Sequence, residues 1–249
     1  MEYLCERFNI NVREVFFREK IRNEIILNTE NKPQKSIIEI DVSYKDWTVN
    51  ELIYWRNHGW ALEMINEAKI RSIDACVIRK NTLDNSFIIK SSELKSMMFS
   101  YDFGMYDGIF RRKIYSPQAE SKYKWKNNAG SNVIQGLNTI QSHVPVIYIT
   151  SSMKDIGPFW ITNGRPCAVA PNSESTLLTV GQVRTIRQMS DRQVIWYDND
   201  PVGILNARRQ SELYGFEMSH NPIGAPKDPS DYVFERGLRE FNRILQGHL

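Results

Sequence analysis

The chain has 249 residues, of which 41% are hydrophobic and 24% are charged. A chain of this length and composition has enough apolar residues to bury one or two cores, which excludes an intrinsically disordered protein. Lys and Arg number 32 against 29 Asp and Glu, a net charge of +3, which is too small to indicate a nucleic-acid partner unless basic residues cluster.

The cysteines and the lack of a long apolar segment indicate the compartment. Cys5, Cys76 and Cys167 form no CxxC pair and have no histidine-rich spacing nearby, so neither a disulfide framework nor a zinc site is expected. No stretch approaches the ~20 apolar residues of a membrane span. The start, MEYLCERFNINVRE, has early acidic residues and no apolar signal region. We expect a soluble cytoplasmic protein with no membrane partner.

Residues 1–143 show little regular alternation and predict an α+β domain. The stretch from residue 48 to 70 predicts a pair of short helices, and Thr48 and Glu51 have the spacing of a capping box. Two hairpin-like segments follow, SFIIK and GIFRRKIYSP, separated by polar loops.

The pattern changes at residue 144, where short apolar runs begin to alternate with longer helical patterns. Such runs suit strands that are buried on both faces, so residues 144–249 predict a small parallel sheet of about four strands flanked by helices, an α/β fold. Gly164 and Gly215 stand where helix C-caps are needed, and Ser230 is placed to cap the last helix. The predicted strands cover residues 144–150, 166–172, 193–198 and 215–220, and the helical patterns cover 154–164, 176–190, 202–215 and 230–246.

The third predicted strand ends in YDND, which places Asp198 and Asp200 one residue apart. Two carboxylates this close repel each other unless a cation or a proton lies between them, and oxygen-only ligands favour a hard ion such as Mg²⁺ or Mn²⁺. The alternative is that Asp198 caps the next helix while Asn199 and Asp200 form a turn before Pro201.

Acidic residues follow the other predicted strands as well. The carboxyl ends of parallel strands meet at one edge of a sheet, where ligands bind, so these acids are expected to gather there. Each of them also has an ordinary alternative as a helix N-cap or a solvated loop residue. They are Asp155 after the first strand, Glu174 after the second, and Asp228 and Asp231 after the fourth.

Basic residues cluster between residues 111 and 126. In KYKWK, strict alternation on a strand would place three lysines on one face and Tyr123 and Trp125 on the other. A cationic face can follow phosphates, although a solvated face is the ordinary alternative, and the two aromatic side chains are expected in the core. The basic side chains are Arg111, Arg112, Lys113, Lys122, Lys124 and Lys126.

The second half of the chain resembles a TOPRIM domain, the metal-binding module of bacterial and phage-type DNA primases, topoisomerases and certain nucleases. The matching pieces are VIYITSSMKD, CAVAPNSES, VIWYDNDPVGILNARR and KDPSD, in that order, over roughly residues 144–231. In the first half, FRRKIYSP, SKYKWKNN and IQGL resemble the basic subdomain that precedes TOPRIM in primases. The segment ELIYWRNHGW resembles a sequence segment of phage primases. The resemblance is to a phage-type primase catalytic core, and it covers most of the chain from about residue 50.

The resemblance implies roles for individual acids. The DxD residues would be Asp198 and Asp200 and the later acid Asp228, all as ligands of divalent ions. Asp155 matches the last aspartate of the first motif, but Ser151 stands where the family has glutamate. Glu174 is the candidate for the missing carboxylate, because strand two should end beside strand one. The expected catalytic set is Asp155, Glu174, Asp198 and Asp200, and the expected metal ligands are Glu174, Asp198, Asp200 and Asp228.

Glu174 and Lys154 each have an alternative role. Glu174 is alternatively an acid at the start of a helix, where it would interact with the helix dipole. Lys154 either neutralises the acidic edge or holds a nucleotide phosphate. The resemblance also implies that the basic residues between 111 and 126 are candidate contacts for the nucleotide or the template.

The implied function is a DNA primase that makes short RNA primers on single-stranded DNA from ribonucleoside triphosphates, by Mg²⁺- or Mn²⁺-dependent nucleotidyl transfer in phage-type replication. No zinc-ligand set and no GxxxxGK[ST] motif occur in the sequence, so no zinc is expected, and a replicative helicase or a separate zinc-ribbon protein is the expected partner. The alternatives are a TOPRIM nuclease that uses the same acids with water, and a catalytically inactive replication module.

Overall fold

The chain folds around two β-sheets in the computed structural model, which describes residues 38–80, 86–106 and 108–247. The predictions made for the MEYLCERFNINVRE segment and for Cys5 lie outside these residues. Cys76 and Cys167 are buried free thiols. In the described part of the chain, no helix combines the length and the apolar character that crossing a membrane requires.

The first sheet is antiparallel and contains six strands in the order β1-β2-β4-β5-β6, with β3 pairing with β2. Helix α1 begins after Thr48, whose side chain and that of Glu51 form the predicted capping box. The predicted α+β character of this part is confirmed. The strands are β1 Ile38–Tyr44, β2 Ile70–Lys80, β3 Ser86–Lys90, β4 Phe99–Tyr106, β5 Ile109–Tyr115 and β6 Trp125–Asn127, and the helices are α1 Val49–Asn57, α2 Leu62–Glu67, α3 Ser91–Leu94 and α4 Ser121–Lys124.

The predicted alternation in KYKWK is wrong. Ser121–Lys124 forms a helical turn, and the strand begins only at Trp125. Trp125 pairs with Tyr115 across the sheet and stacks on its ring with centroids 4.3 Å apart, which fixes the start of the strand. Trp125 therefore joins the core as expected, whereas Tyr123 is 37% exposed.

The second sheet is parallel and has the strand order β10-β9-β7-β8. Strand β7 has the predicted bounds. Strand β8 is much shorter than predicted, because its continuation at Ala170 forms an antiparallel bridge with Gln135 instead. The strands are β7 Val144–Thr150, β8 Ala168–Val169, β9 Ser190–Trp196 and β10 Glu217–Ser219. The helices are α5 Ile156–Asn163, α6 Val180–Met189, α7 Pro201–Tyr214, α8 Pro229–Arg236 and α9 Leu238–Gln246, with 3₁₀ turns at Leu137–Thr139 and Met153–Asp155.

Helix ends in this half follow the sequence in part. Gly164 and Gly215 end α5 and α7 with φ of 65° and 69°, a left-handed conformation that glycine adopts without strain. The cap predicted at Ser230 is wrong, because Asp228 caps α8. The single helical pattern at the end of the chain is two helices, and Gly237, with φ of 83°, separates them.

Aromatic packing joins the two sheets. Trp55 and Trp60 belong to the same buried cluster as Phe159, Trp196 and Phe241. Trp60 Nε1 also donates a hydrogen bond of 2.8 Å to the Lys154 carbonyl, in the turn after β7. This contact anchors the turn after β7 to the segment between α1 and α2. The division into domains at residues 143 and 144 stays a prediction.

Candidate metal centre

Three aspartates meet at the carboxyl edge of the parallel sheet. Asp155 lies in the turn after β7, Asp198 follows β9, and Asp228 caps the helix that follows β10. One carboxylate oxygen from each lies within 4.8 Å of the others, and all three side chains are buried. Three of the strand-end acids therefore meet at this edge as predicted, and we call Asp155, Asp198 and Asp228 the three-aspartate cluster.

Serine hydroxyls fix the orientation of two of these carboxylates. Ser152 Oγ donates to Asp155 Oδ2 at 2.6 Å. The Ser230 hydroxyl lies 2.8 Å from Asp155 Oδ1 and 2.9 Å from Asp228 Oδ1, and so links them. The backbone N–H of Asp231 donates to Asp228 Oδ1 at 2.7 Å. The two serines were not recognised as site residues, although both lie inside the SSMKD and KDPSD motifs.

The DxD aspartates have different surroundings. Asp200 caps α7, accepting a 2.8 Å hydrogen bond from the Gly203 N–H that lowers its pKa, and its side chain is 37% exposed. Asp198 is buried, and its Oδ1 has no hydrogen-bond partner among the described residues. The capping role considered for Asp198 therefore belongs to Asp200, and Asp198 lies in the cluster.

Burial and mutual repulsion shift the pKa values of the cluster. Burial raises the pKa of Asp155 well above its ordinary value, and the charges of Asp228 and Asp198 add to this. Burial opposes ionisation of Asp228 too, but the Lys154 ammonium and the hydrogen bonds from Asp231 and Ser230 outweigh it and lower its pKa to about 2. Asp155 thus holds a proton more readily than an ordinary aspartate does, whereas Asp228, beside the Lys154 ammonium, holds one less readily.

Two lysines neutralise part of the negative charge. Lys154 is buried, and its Nζ lies 3.1 Å from Asp228 Oδ2 and 2.6 Å from Asp231 Oδ1. Lys227 Nζ lies 2.6 Å from Asp198 Oδ2. Burial opposes protonation of Lys227, but the hydrogen bond and charge of Asp198 raise its pKa. Lys227 was not singled out in the sequence, where its place directly before Asp228 in KDPSD is the available signal.

The residues present fit a divalent cation. Three carboxylates converge, the ligand set is oxygen only, and one buried carboxylate oxygen, Asp198 Oδ1, lacks a partner. Such a set favours hard ions of the Mg²⁺, Mn²⁺ and Ca²⁺ type over zinc or copper.

Glu174 lies beside this cluster without belonging to it. Its Oε2 is 3.4 Å from Ser151 Oγ, which in turn accepts a 3.1 Å hydrogen bond from the Asp198 N–H. Burial raises the pKa of Glu174, and the charges of Asp198 and Asp200 raise it further. The idea that Glu174 starts a helix is wrong, because α6 begins only at Val180.

Lys113 approaches the acidic cluster from the first sheet. Its Nζ donates to the Asn172 carbonyl at 3.1 Å and lies 4.4 Å from the centroid of the Trp125 ring. Burial lowers the pKa of Lys113 to about 8, and the nearby Asp155 charge opposes this shift. Lys113 and Lys154 are thus two predicted basic residues that interact with the cluster.

The other predicted basic residues have partners within the first sheet and its loops. Arg112 is buried, with Nε 3.6 Å from Asp102 Oδ1, and Arg111 donates to the Asn128 carbonyl at 2.8 Å. The lysines of the α4 region are exposed or partly buried: Lys122 pairs with Glu120 at 3.2 Å, Lys126 Nζ donates to the Lys122 carbonyl at 2.6 Å, and Lys124 is partly buried.

Solved structures of primase fragments are similar to this fold. The primase fragment of the bacteriophage T7 primase-helicase protein matches with a TM-score of 0.50 and 13% identity, over 88% of this chain and 84% of that chain. The zinc-binding and RNA polymerase domains of Aquifex aeolicus primase match with a TM-score of 0.55 and 15% identity, over 80% of this chain but only 56% of that chain. A DnaG primase catalytic domain bound to ssDNA matches with a TM-score of 0.51 and 14% identity, over 84% and 67% of the two chains.

These similarities show the fold. The antiparallel sheet followed by the four-stranded parallel sheet is the fold that this chain shares with these primase structures. No protein-family model matches the chain, and no curated protein matches it in sequence.

Proposed function

We propose that this chain is the catalytic core of a DNA primase, which makes short RNA primers on single-stranded DNA from ribonucleoside triphosphates in phage-type replication. The observation that carries the proposal is the buried cluster of Asp155, Asp198 and Asp228 at the carboxyl edge of the parallel sheet, in a fold shared with primase catalytic domains. A nucleotidyl transferase needs a divalent ion at such an edge.

The reaction joins two nucleotides by attack of a 3′-hydroxyl on an α-phosphate, and pyrophosphate leaves. A divalent ion, Mg²⁺ or Mn²⁺, would lower the hydroxyl pKa and neutralise the charge that develops on the phosphate. In this chain Asp155, Asp198 and Asp228 would hold that ion, and Ser152 and Ser230 orient two of the three carboxylates through their hydroxyl groups. Asp200 would support the cluster by holding the start of α7 in place.

Lys113 is the proposed contact for the incoming triphosphate. Its ammonium is buried next to the acidic cluster and is within the electrostatic influence of Asp155. A phosphate would replace the weak carbonyl acceptor of Asn172 with a charged one, which makes a stronger hydrogen bond. Lys154 is already bound to two carboxylates, which supports its role as an internal counter-ion. The remaining proposed nucleotide or template contacts are Arg111, Arg112, Lys122, Lys124 and Lys126.

The proposed partners follow from the similar structures. One is a primase catalytic domain bound to ssDNA, which supports a single-stranded template for this chain. Another is the primase fragment of a primase-helicase protein, which supports a helicase as partner. Template selection is proposed to depend on such a helicase or on a separate zinc-ribbon protein.

The test is primer synthesis on mixed-sequence single-stranded DNA with labelled ribonucleotides and Mg²⁺ or Mn²⁺. Wild type is compared with Asp198→Asn and with Asp191→Asn, a control on the same strand whose side chain is 72% exposed. We expect short RNA from wild type and Asp191→Asn and none from Asp198→Asn. Cutting of the template would establish a nuclease instead. If neither reaction occurs even with a helicase or zinc-ribbon protein added, the chain is an inactive module.

Glu174→Gln tests the proposed substitute for the missing first-motif glutamate. We expect loss of metal-dependent synthesis, because the carboxylate charge is removed. The melting temperature should be unchanged, because the side chain is only partly buried and, among the described residues, its one hydrogen bond is with Ser151. The matched control is Glu212→Gln on α7. An unchanged rate in Glu174→Gln removes Glu174 from the active set.

A further inference from the structure

Lys227 occupies the space between the two DxD carboxylates. Its Nζ lies 2.6 Å from Asp198 Oδ2 and 3.4 Å from Asp200 Oδ2. An ammonium group therefore stands where a cation shared by these two side chains would have to bind.

The backbone holds Lys227 at this place. The Asn199 N–H, between the two aspartates, donates a 2.8 Å hydrogen bond to the Lys227 carbonyl. The Asn199 side chain donates to the carbonyls of Pro222 and Ala225, at 3.0 and 3.2 Å. The loop that carries Lys227 is thus tied to the DxD segment at three points, so the fold places the Lys227 backbone beside the two aspartates.

The two oxygens of Asp198 face different environments. Oδ2 binds the ammonium, whereas Oδ1 is buried and has no hydrogen-bond partner in the part of the chain that the structure describes. Both oxygens of Asp200 are used, since Oδ1 accepts from the Gly203 N–H and Oδ2 faces Lys227. Two cation positions are defined in this way: an inner position among Asp155, Asp198 and Asp228, and an outer position between Asp198 and Asp200.

We propose that Lys227 is a built-in cation of the outer position, so that the nucleotide-free chain binds one divalent ion, at the inner position, and excludes a second. The proposal rests on the proposed metal centre. The physical reason is that a divalent ion in the outer position would have to displace an ammonium that is in contact with the same carboxylate oxygen, and two cations so close repel each other. Because the Lys227 side chain is 53% exposed, the ammonium can leave for solvent without unfolding the site.

The experiment is Mn²⁺ binding without nucleotide, measured as ions per chain by titration calorimetry and by the loss of the free Mn²⁺ signal in electron paramagnetic resonance. We expect one ion per chain in wild type and two in Lys227→Met. Lys227→Arg, which keeps the charge, should stay at one. Lys90→Met is the matched control, because Lys90, at the end of β3 in the first sheet, is also 53% exposed and pairs with Glu93 of α3.

Asp155→Asn separates the two positions. It should remove the tight ion of wild type and leave only the outer ion in the Lys227→Met background. Two ions in wild type, or one in Lys227→Met with an unchanged melting temperature, would overturn the proposal about Lys227 while leaving the metal centre intact. Absence of Mn²⁺ binding in wild type and in Lys227→Met would overturn the proposal together with the metal centre on which the proposed function depends.

Discussion

Gly203 makes the close approach of α7 to the end of β9 possible. A Cβ at this position would lie 2.3 Å from the Asp198 carbonyl oxygen and 2.9 Å from the Asp198 Cβ, distances that real Cβ atoms do not show. The neighbouring atoms are the backbone and Cβ of a cluster residue, so they cannot rotate away. The Gly203 N–H also donates to Asp200 Oδ1, which means that a shift of the helix would weaken its cap.

The expected cost of Gly203→Ala follows from three opposing contributions. Alanine favours a helix over glycine by about 1 kcal/mol. Forcing an extra methyl group into a packed site costs about 1–3 kcal/mol, and a weakened N-cap costs about 1 kcal/mol. We expect the free energy of unfolding to fall by about 1–3 kcal/mol and Mn²⁺ binding to weaken, because Asp198 must move.

Gly181→Ala is the matched control, since Gly181 lies in the first turn of α6 and its Cβ would meet only Thr179 Oγ1, at 3.9 Å. This variant should gain about 0.5–1 kcal/mol. Urea denaturation of both variants and wild type, with and without Mn²⁺, provides the comparison. A Gly203→Ala protein as stable as Gly181→Ala, with wild-type Mn²⁺ affinity, would refute the close-approach argument.

Two further substitutions test the contacts between the sheets. Burial lowers the pKa of Lys113 to about 8, below the 10.5 of an unfolded lysine, so its ammonium destabilises the fold below pH 8 and this penalty disappears between pH 8 and 10.5. Lys113→Met should therefore be more stable than wild type at pH 7, by at most roughly 3 kcal/mol. This gain in stability should shrink in urea melts at pH 10. An equal gain at both pH values would contradict the lowered pKa of Lys113. Gly157→Ala would place a Cβ against the ring of Trp60, between α1 and α2, and should cost about 1–3 kcal/mol. Unchanged thermal and urea melts would show that α5 and the Trp60 segment can move apart at this contact.

The sequence was sufficient to predict the parallel sheet and the edge at which the acids meet. Short continuous apolar runs such as 144–150 indicate strands that are buried on both faces, as in a parallel sheet. In such a sheet the carboxyl ends of the strands define a common edge. What the pattern could not decide is which acids enter the cluster. Asp198 and Asp200 are chemically identical and only two residues apart, and the start of α7 at Pro201 decides that Asp200 serves as cap.

The remaining differences have the same origin in tertiary contacts. The alternation in KYKWK is compatible with a strand over all five residues. In the structure, Trp125 pairs with Tyr115 and stacks on its ring, and the strand begins only at Trp125. The sequence does not predict the ion pair of Lys227 with Asp198, because Asp198 lies 29 positions earlier in the chain. No local pattern indicates that their loops are joined through Asn199.

Charge balance explains why the acidic edge is assembled around lysines. Three buried carboxylates within 4.8 Å of one another cannot all be ionised without compensating positive charge. Lys154 compensates Asp228 from the inside, and Lys227 compensates Asp198 from the solvent side. Asp155 has no lysine of its own at hydrogen-bonding distance among the described residues, only the hydroxyls of Ser152 and Ser230. Burial raises the pKa of Asp155 and the charges of Asp228 and Asp198 raise it further, and these are the effects that the proposed divalent ion at the inner position would offset.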